Sequence, residues 1–226
     1  MIGLIRDRTG RPKIDQLATA VLRCRKCPRL VKYLTAAKKK WPDHRCLPVP
    51  SWGNPDARIV LVGLAPGMHG ANRTGRMFTF DSSGEWLYGM LHEMGLASRR
   101  VSEGPGDGLK LKVWIANAAR CAPPQNRPSG TELDNCRPFL VRELALLRHA
   151  RVLVALGRIA HDAVLKSQGL RPSSRSFAHG AVHRLEKYVL LDSYHPSRQN
   201  TNTGRLTRRM WRQIFKKAVN IGLKVV

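Results

Sequence analysis

The feature that most constrains the fold is a series of four short apolar runs separated by helical segments. The runs cover residues 58–63, 112–117, 151–157 and 187–192. Each is mostly apolar, which is typical of a strand buried in a sheet. Strands that alternate with helices form parallel sheets with right-handed crossovers. The sequence therefore predicts an α/β protein: a three-layer α/β/α sandwich around a central four-stranded parallel sheet, in one domain over residues 1–226.

The helices are predicted from apolar residues at helical spacing and from capping signals. Ser-x-x-Glu capping boxes at Ser82 and Ser129 mark the starts of two of them. The predicted helices cover residues 13–38 with a break at Pro28, 82–95, 129–148, 158–167, and a last helix from about Thr203. Residues 41–56, 98–110 and 169–180 are expected to be loops.

Three of the segments that follow the strands carry residues suited to a binding site. They are Gly63-Leu-Ala-Pro-Gly67, Asn117 with Arg120-Cys-Ala-Pro-Pro124, and Ser193-Tyr-His-Pro-Ser197. Ligands of open α/β sheets bind at the carboxyl ends of the strands, so a glycine loop, an amide and a histidine are expected to meet at one edge. The glycine loop matches neither the P-loop nor the dinucleotide pattern, which argues against a nucleotide phosphate as its ligand.

The charge of the chain points to a polyanionic partner. Forty Lys and Arg residues against 15 Asp and Glu give a formal net charge of +25. No acidic residue follows Asp192, and an excess of this kind attracts nucleic acid; the alternative is a basic surface that serves only solubility. The sequence shows no leader and no apolar run of about 18 residues. We therefore expect a cytoplasmic protein without membrane contact.

The five cysteines include one pair at ligand spacing, Cys24-Arg-Lys-Cys27. Together with the more distant Cys121 and Cys136, this pair could hold an iron–sulfur cluster or a structural zinc. Buried free cysteines are the alternative. Spacing alone does not separate the two metals, and Cys46 is left over.

Taken in order, these motifs resemble the uracil-DNA glycosylase superfamily. The motifs are Gly63–Gly67, Ala71-Asn-Arg-Thr-Gly-Arg76 followed by Phe78, Asn117 before Arg120–Pro124, and His195-Pro-Ser197 with Asn200 and Thr203-Gly-Arg205. The most similar branch is the iron–sulfur type called family 5, or type b. The resemblance extends from Cys24 to Arg205.

This resemblance implies an activity and a cofactor. The enzyme would hydrolyse the N-glycosidic bond of uracil, and of other deaminated bases such as hypoxanthine, in DNA during base excision repair. It would act as a monomer at the nucleoid and leave an abasic site. A 4Fe–4S cluster would be held by Cys24, Cys27, Cys121 and Cys136, and would tie the cysteine-bearing helical segment 13–40 to the sheet.

The resemblance also implies roles for individual residues. Asn117 would read the imide edge of the base, His195 would stabilise negative charge on the leaving base, and Asp81 would position or deprotonate the attacking water. The base pocket would comprise Gly63, Leu64, Ala65, Gly67 and Phe78 in addition to Asn117 and His195. The contacts to DNA would come from Arg73, Arg76, Ser197, Arg198, Gln199, Asn200 and Arg205.

Several alternatives remain at this point. Asp81 could simply cap the helix that follows it. The chain could be a non-catalytic, cysteine-stapled module that only binds nucleic acid. It could also be of the family 4 type, although that type carries Glu at the position of Leu64. No lysine occupies a motif position, so strand cleavage through a Schiff base is not expected.

Overall fold

The computed structural model describes residues 10–223, and within this range eight α-helices and six β-strands follow one another. The helices are α1 Gly10–Leu22, α2 Pro28–Lys40, α3 Ala71–Thr74, α4 Ser82–Glu93, α5 Gly130–Leu146, α6 Arg158–Ser167, α7 Arg198–Asn202 and α8 Arg208–Leu223. The strands are β1 Trp52–Gly53, β2 Ile59–Gly63, β3 Trp114–Asn117, β4 Val152–Leu156, β5 Val182–Arg184 and β6 Val189–Ser193. Short 3₁₀ helices cover Pro124–Asn126 and Pro172–Ser174.

The strands form one sheet in the order β1-β3-β2-β4-β6-β5. The four inner strands are parallel, and in their register Leu61 of β2 lies between Ile115 of β3 and Val154 of β4. These are the four strands predicted from the apolar runs. The edge strands β1 and β5 are antiparallel to their neighbours. The sheet is therefore mixed and six-stranded, and the prediction of only four parallel strands was wrong at both edges.

Helices cover both faces of the sheet, as the sandwich prediction requires. Along β2, Ile59 and Leu61 face one apolar cluster, and Val60 and Val62 face the other. This alternation follows from the two-residue period of a strand, and burial of both faces explains why each run is continuously apolar. The first cluster contains Leu87, Leu91, Trp211 and Phe215 from α4 and α8, and the second contains Leu140, Leu144, Ala160 and Val164 from α5 and α6.

Two helix starts differ from the prediction. The N-cap of α4 is Asp81 rather than Ser82, since its carboxylate accepts a hydrogen bond from the backbone N–H of Gly84. The last helix was predicted from about Thr203 but begins only at Arg208, as α8. The short α7 that precedes it, capped by Ser197, was not predicted. The capping box at Ser129 and the break before Pro28 are confirmed.

The N-terminal helices pack against the rest of the chain through apolar contacts and one ion pair. Leu17 and Val21 of α1 contact Phe139 of α5. Arg29 of α2 donates two hydrogen bonds to Glu132, of 2.8 and 2.6 Å. Across residues 10–223, no helix combines the length and the apolar character that crossing a membrane requires.

Candidate active site

The loops that follow β2, β3 and β6 meet in one cleft, as the parallel topology predicts. Its volume is about 740 Å³. The lining residues are Leu64, Ala65, Pro66, Gly67, Met68, His69, Gly70, Ala71, Phe78, Phe80, Asp81, Ser82, Ser83, Asn117, Asn126, His195, Ser197, Arg198 and Gln199. The predicted glycine loop, amide and histidine thus belong to the same site.

Gly63 allows two functional side chains to approach the glycine loop. A side chain at position 63 would place its Cβ atom 2.4 Å from Oδ1 of Asn117 and 3.1 Å from Cζ of Phe78. The loop is held in register with the end of β3, because Ala118 donates its backbone N–H to the carbonyl of Gly63 at 2.9 Å. Any larger residue would therefore push the amide or the aromatic ring out of position.

Asn117 is buried with an unsatisfied acceptor. Only 2% of the surface of Asn117 is exposed to solvent, and its Oδ1 atom has no hydrogen-bond partner among residues 10–223. An unpaired buried amide oxygen costs roughly 1–3 kcal/mol. Because Asn117 also lines the cleft, a donor group on a bound ligand can satisfy this atom.

His195 lies in a loop whose conformation is fixed by hydrogen bonds. The side-chain amide of Asn200 donates to the carbonyl of His195 at 2.8 Å, and the hydroxyl of Ser197 accepts from the backbone N–H of Asn200 at 3.4 Å. The imidazole ring lines the cleft and is partly exposed to solvent there, but protein atoms surround most of it. This burial lowers the pKa of His195 to about 4. The imidazole is therefore neutral at pH 7, and its N–H can act as a hydrogen-bond donor.

The rings of Phe78 and His195 face the same part of the cleft. They are inclined by only 25°, with centroids 6.3 Å apart. Phe78 has a backbone φ of +61°, and its carbonyl oxygen would lie 2.1 Å from a Cβ atom at Gly84. The lack of a side chain at Gly84 thus permits the unusual backbone that turns the Phe78 ring toward the site.

Asp81 both caps α4 and faces the cleft. Its Oδ1 accepts from the N–H of Gly84 at 2.7 Å. Its Oδ2 points toward the glycine loop, where a Cβ atom at Gly70 would lie 3.2 Å away and one at Gly67 3.6 Å away. Burial raises the pKa of Asp81, and the backbone hydrogen bonds from Gly84 and Ser83 offset part of this rise. One oxygen of Asp81 can therefore cap α4 while the other faces the cleft, so the two proposed roles do not exclude each other.

Comparison with known proteins identifies the family. A sequence profile of the uracil DNA glycosylase superfamily matches residues 50–219, which includes every lining residue of the cleft. The chain belongs to the uracil-DNA glycosylase superfamily.

The similar superfamily members fall into two types. The chain is 50% identical over 202 residues to a type-5 uracil-DNA glycosylase of Thermus thermophilus, covering 86% of this chain and 92% of that protein. It is 41% identical over 221 residues to a type-5 enzyme of Pyrobaculum aerophilum, covering 95% and 96%. A type-4 uracil-DNA glycosylase of Archaeoglobus fulgidus is 31% identical over 189 residues, covering 81% of each chain.

The basic and polar residues predicted from the superfamily motifs to contact DNA fall into two groups. Arg73, Arg198, Gln199 and Arg205 are exposed, and Arg198 and Gln199 line the cleft. Ser197 and Asn200 instead hold the His195 loop, as described above.

Arg76, the remaining member of that set, has partners within the protein. It pairs with Asp107 at 2.6 Å with only 11% of its side chain exposed, and its guanidinium lies 4.0 Å from the ring of Trp52. This ion pair and the backbone hydrogen bonds that Asp107 accepts hold the pKa of that carboxyl well below its usual range, despite the opposing effect of burial.

Four of the five cysteines influence one another. Burial, followed by the neighbouring sulfurs of Cys136, Cys24 and Cys27, raises the pKa of Cys121 to about 12. Cys46 lies in an apolar cluster with Leu34, Ala37 and Ala122, against which Cys121 also packs. Its Sγ is 3.5 Å from the amide nitrogen of Asn72.

A buried polar network lies behind the His195 loop. Asp192 at the end of β6 is 2.7 Å from Nδ1 of His161 and 3.0 Å from Nε2 of His183. The other ring nitrogen of His161 lies 2.9 Å from the carbonyl of Arg175, which can only accept. Burial alone would lower the pKa of His161, but the hydrogen bonds to Asp192 and Arg175 outweigh it and raise the pKa.

Among the cleft residues that sequence reasoning did not assign to the site are His69, Phe80 and Asn126. His69 closely follows the Gly63–Gly67 motif, so its position in the chain could have indicated that it lines the cleft. Phe80 lies between Phe78 and Asp81, which were both singled out, but these residues belong to no strand, so no spacing rule gives the direction of its ring. Asn126 comes from a 3₁₀ turn far along the chain, for which the sequence offers no signal.

Proposed function

We propose that the protein hydrolyses the N-glycosidic bond between uracil and deoxyribose in DNA and leaves an abasic site. The observation that carries this proposal is the unpaired Oδ1 of Asn117 in the same cleft as Phe78 and His195. The names of the similar proteins from Thermus and Pyrobaculum support the same activity.

The cleft is suited to an extruded pyrimidine. A base inside a duplex cannot reach such a site, so the nucleotide is flipped out of the stack. Uracil then presents an imide N–H between two carbonyl groups, and an asparagine amide has one acceptor and one donor group to match it. Phe78 provides an apolar face for the ring, while the absence of a side chain at Gly63 lets the backbone lie close.

We propose that His195 stabilises the leaving group. As the glycosidic bond breaks, negative charge develops on the carbonyl oxygens of the base. A neutral imidazole N–H in a buried site can donate to that oxygen, as donors in an oxyanion hole do. A neutral donor is available at pH 7 because burial lowers the pKa of this ring to about 4.

We propose that Asp81 binds the attacking water. The Oδ1 atom is occupied by the N–H of Gly84, but Oδ2 faces the side-chain-free positions Gly67 and Gly70, where a water can lie. The carboxylate would hold this water, accept its proton as it attacks the sugar, and offset the positive charge that develops there. Leu64 and Ala65 lie nearby in the cleft but cannot take a proton.

The DNA would lie across the mouth of the cleft. Arg198 lines the cleft, Arg73 contacts the ring of Phe80 at its edge, and Arg205 contacts the ring of Tyr194 next to His195. All three are exposed and can bind phosphates. Arg198 or Gln199 would fill the space that the extruded base leaves. We propose that Ser197 and Asn200 act by holding this loop, and we leave Arg76 out of the phosphate contacts because of its pairing with Asp107.

The cysteines fit a 4Fe–4S cluster better than a single zinc. Four sulfurs around one zinc lie about 3.8 Å apart, given tetrahedral bonds of about 2.3 Å. Among residues 10–223, the only metal-type group with ligand atoms within 4.8 Å is His161, His183 and Asp192, without any cysteine. Cys24, Cys27 and Cys136 are nevertheless close enough to Cys121 to raise its pKa, and this proximity supports a cluster that joins α1, α2 and the sheet into one domain.

The type and the setting of the enzyme belong to the same proposal. The higher identity to type-5 than to type-4 relatives, together with Leu64 in place of an acidic residue, supports the type-5 assignment. Hypoxanthine and other deaminated bases are proposed as further substrates. The protein would act as a monomer in the cytoplasm at the nucleoid, because that is where its DNA substrate lies.

Release of free bases from DNA tests the proposal. Duplexes with one uracil, hypoxanthine or oxidised pyrimidine are incubated with the protein, and the free base is quantified by mass spectrometry. We expect uracil release and an alkali-labile abasic site without spontaneous strand cleavage. Tight binding of every duplex without base release would instead support a non-catalytic binding module.

A further inference from the structure

Phe80 is an exposed aromatic residue at the cleft that the proposed chemistry does not use. It is 58% exposed, and it is the only aromatic residue among the exposed large hydrophobics of the described chain. It lines the cleft next to Asp81. Single exposed apolar residues are common on protein surfaces, so the case for a ligand contact rests on the place of Phe80 in the cleft, its backbone and its partner.

The backbone holds Phe80 in an unusual conformation. Its φ is +52°, which is strained for a bulky residue and is typical of functional sites. The neighbours enforce it: the carbonyl of Thr79 packs so closely on Gly70 that a Cβ atom there would lie 2.3 Å away, and Asp81 is fixed as the cap of α4. The backbone therefore presents the ring to the cleft, and little backbone freedom is lost when a ligand contacts it.

Arg73 supports the ring from one side. Its guanidinium carbon lies 5.1 Å from the ring centroid of Phe80, within the range of a cation–π contact. Proteins that bind DNA strands combine aromatic faces for the bases with positive charge for the backbone. The pair of Phe80 and Arg73 has both properties at one point of the cleft edge.

We propose that Phe80 stacks on the base adjacent to the extruded nucleotide in the uracil-containing strand. This inference rests on the function proposed above. Flipping one nucleotide exposes a face of the neighbouring base, and an apolar ring that covers this face stabilises the extruded state. Phe80 would thus act from the segment that precedes α4, and Arg198 and Gln199 from the loop that carries His195.

Affinity and its salt dependence test the stacking role. Phe80→Ala should weaken binding of a uracil-containing duplex by about 5- to 150-fold, the usual range for loss of one base–aromatic contact. The slope of log K against log salt should not change, because no phosphate contact is removed. Phe80→Trp should retain affinity. Val182→Ala is the matched control, because it shortens another exposed apolar side chain, which is 47% exposed on edge strand β5. This variant should bind the duplex like the wild type.

A fluorescent base next to uracil tests the geometry directly. With 2-aminopurine on the 5′ or the 3′ side, wild type and Phe80→Trp should change its emission on binding, and Phe80→Ala should not reproduce the change on the side that is stacked. Phe80→Gly, which suits the positive φ, should show the same loss with a Tm close to that of the wild type, so that misfolding is not the cause.

Two outcomes separate this inference from the function it rests on. If the wild type releases uracil and Phe80→Ala matches it in affinity, emission and rate, the stacking role is wrong and the glycosylase function stands. If the wild type binds the duplex but releases no uracil, the proposed function itself is wrong.

Discussion

Asp81→Asn separates the two roles of one carboxylate. The side-chain oxygen of Asn can still accept from the N–H of Gly84, which Asp81 now does at 2.7 Å, and Asn caps a helix about as well as Asp. The amide on the cleft side cannot take a proton. Because one proton-accepting group contributes typically about 10²–10⁴-fold, we expect the single-turnover rate to fall by about that factor while the fold is kept.

The thermal stability of Asp81→Asn should not fall with its rate, and it should equal or exceed that of the wild type at pH 7. Burial raises the folded-state pKa of Asp81, so above that pKa the folded protein carries a carboxylate that is less well solvated than in the unfolded chain. Stability is lost as pH rises through the window between the two pKa values. Asp81→Asn removes this cost, and its Tm at pH 7 should equal or exceed that of the wild type.

Asp81→Ala is the control for the cap. It should lose catalysis like Asp81→Asn, and in addition about 0.5–2 kcal/mol of stability, which corresponds to roughly 1–8 °C in Tm for a chain of this size. The assays are rapid-quench uracil release and thermal unfolding of all three proteins. Wild-type turnover by Asp81→Asn would refute the reasoning and leave Asp81 as a cap only.

Three further substitutions follow from the same geometry. Gly63→Ala places a methyl group 2.4 Å from the amide that faces it, so uracil kcat/KM should drop while binding of undamaged DNA stays within about twofold of the wild type on the same assay; an unchanged kcat/KM would argue against a tight pocket. Cys136→Ser should remove most of the roughly four irons expected by metal analysis and lower the Tm, whereas Cys46→Ser should keep both; iron loss from Cys46→Ser would mean a different ligand set. The raised pKa of His161 adds stability that is complete below about pH 6.5 and is lost as pH rises through the pKa of the folded state. The difference in Tm between wild type and Asp192→Asn should therefore become smaller from pH 6 to pH 9. A difference that does not depend on pH would exclude an ion pair between protonated His161 and Asp192.

The sequence predicted the parts of the fold that depend on burial. The four inner strands were visible because both faces of each are covered, so the apolar run is continuous. The edge strands were not, since β1 has two residues and β5 three, and pairing with a neighbour rather than burial holds them. Position 53 in β1 accepts only glycine, because a Cβ atom there would lie 2.3 Å from the carbonyl oxygen of Val113. No local sequence pattern reveals this contact.

The candidate site was predictable to the extent that the topology of the sheet determines it. Asn117 and His195 follow strands of a parallel sheet, so their meeting at one edge was expected. The cap at Asp81 was predicted one residue late because Ser82 offers the same capping chemistry one position further on. The ion pair between Arg76 and Asp107 joins residues 31 positions apart across a loop without a regular pattern, and charge alone could not distinguish it from a phosphate contact.

The central claim is that this cleft releases uracil with the help of a neutral His195. The most direct measurement is the single-turnover rate of uracil release by wild type and His195→Ala on one duplex, with the Kd of both proteins measured alongside. Loss of one such donor should reduce the rate about 10²–10³-fold and leave the Kd nearly unchanged, and the wild-type rate should not fall from loss of the neutral His195 until pH approaches about 4. Equal rates for the two proteins, or a rate that falls with a midpoint near pH 6.5 because His195 becomes protonated, would contradict the account.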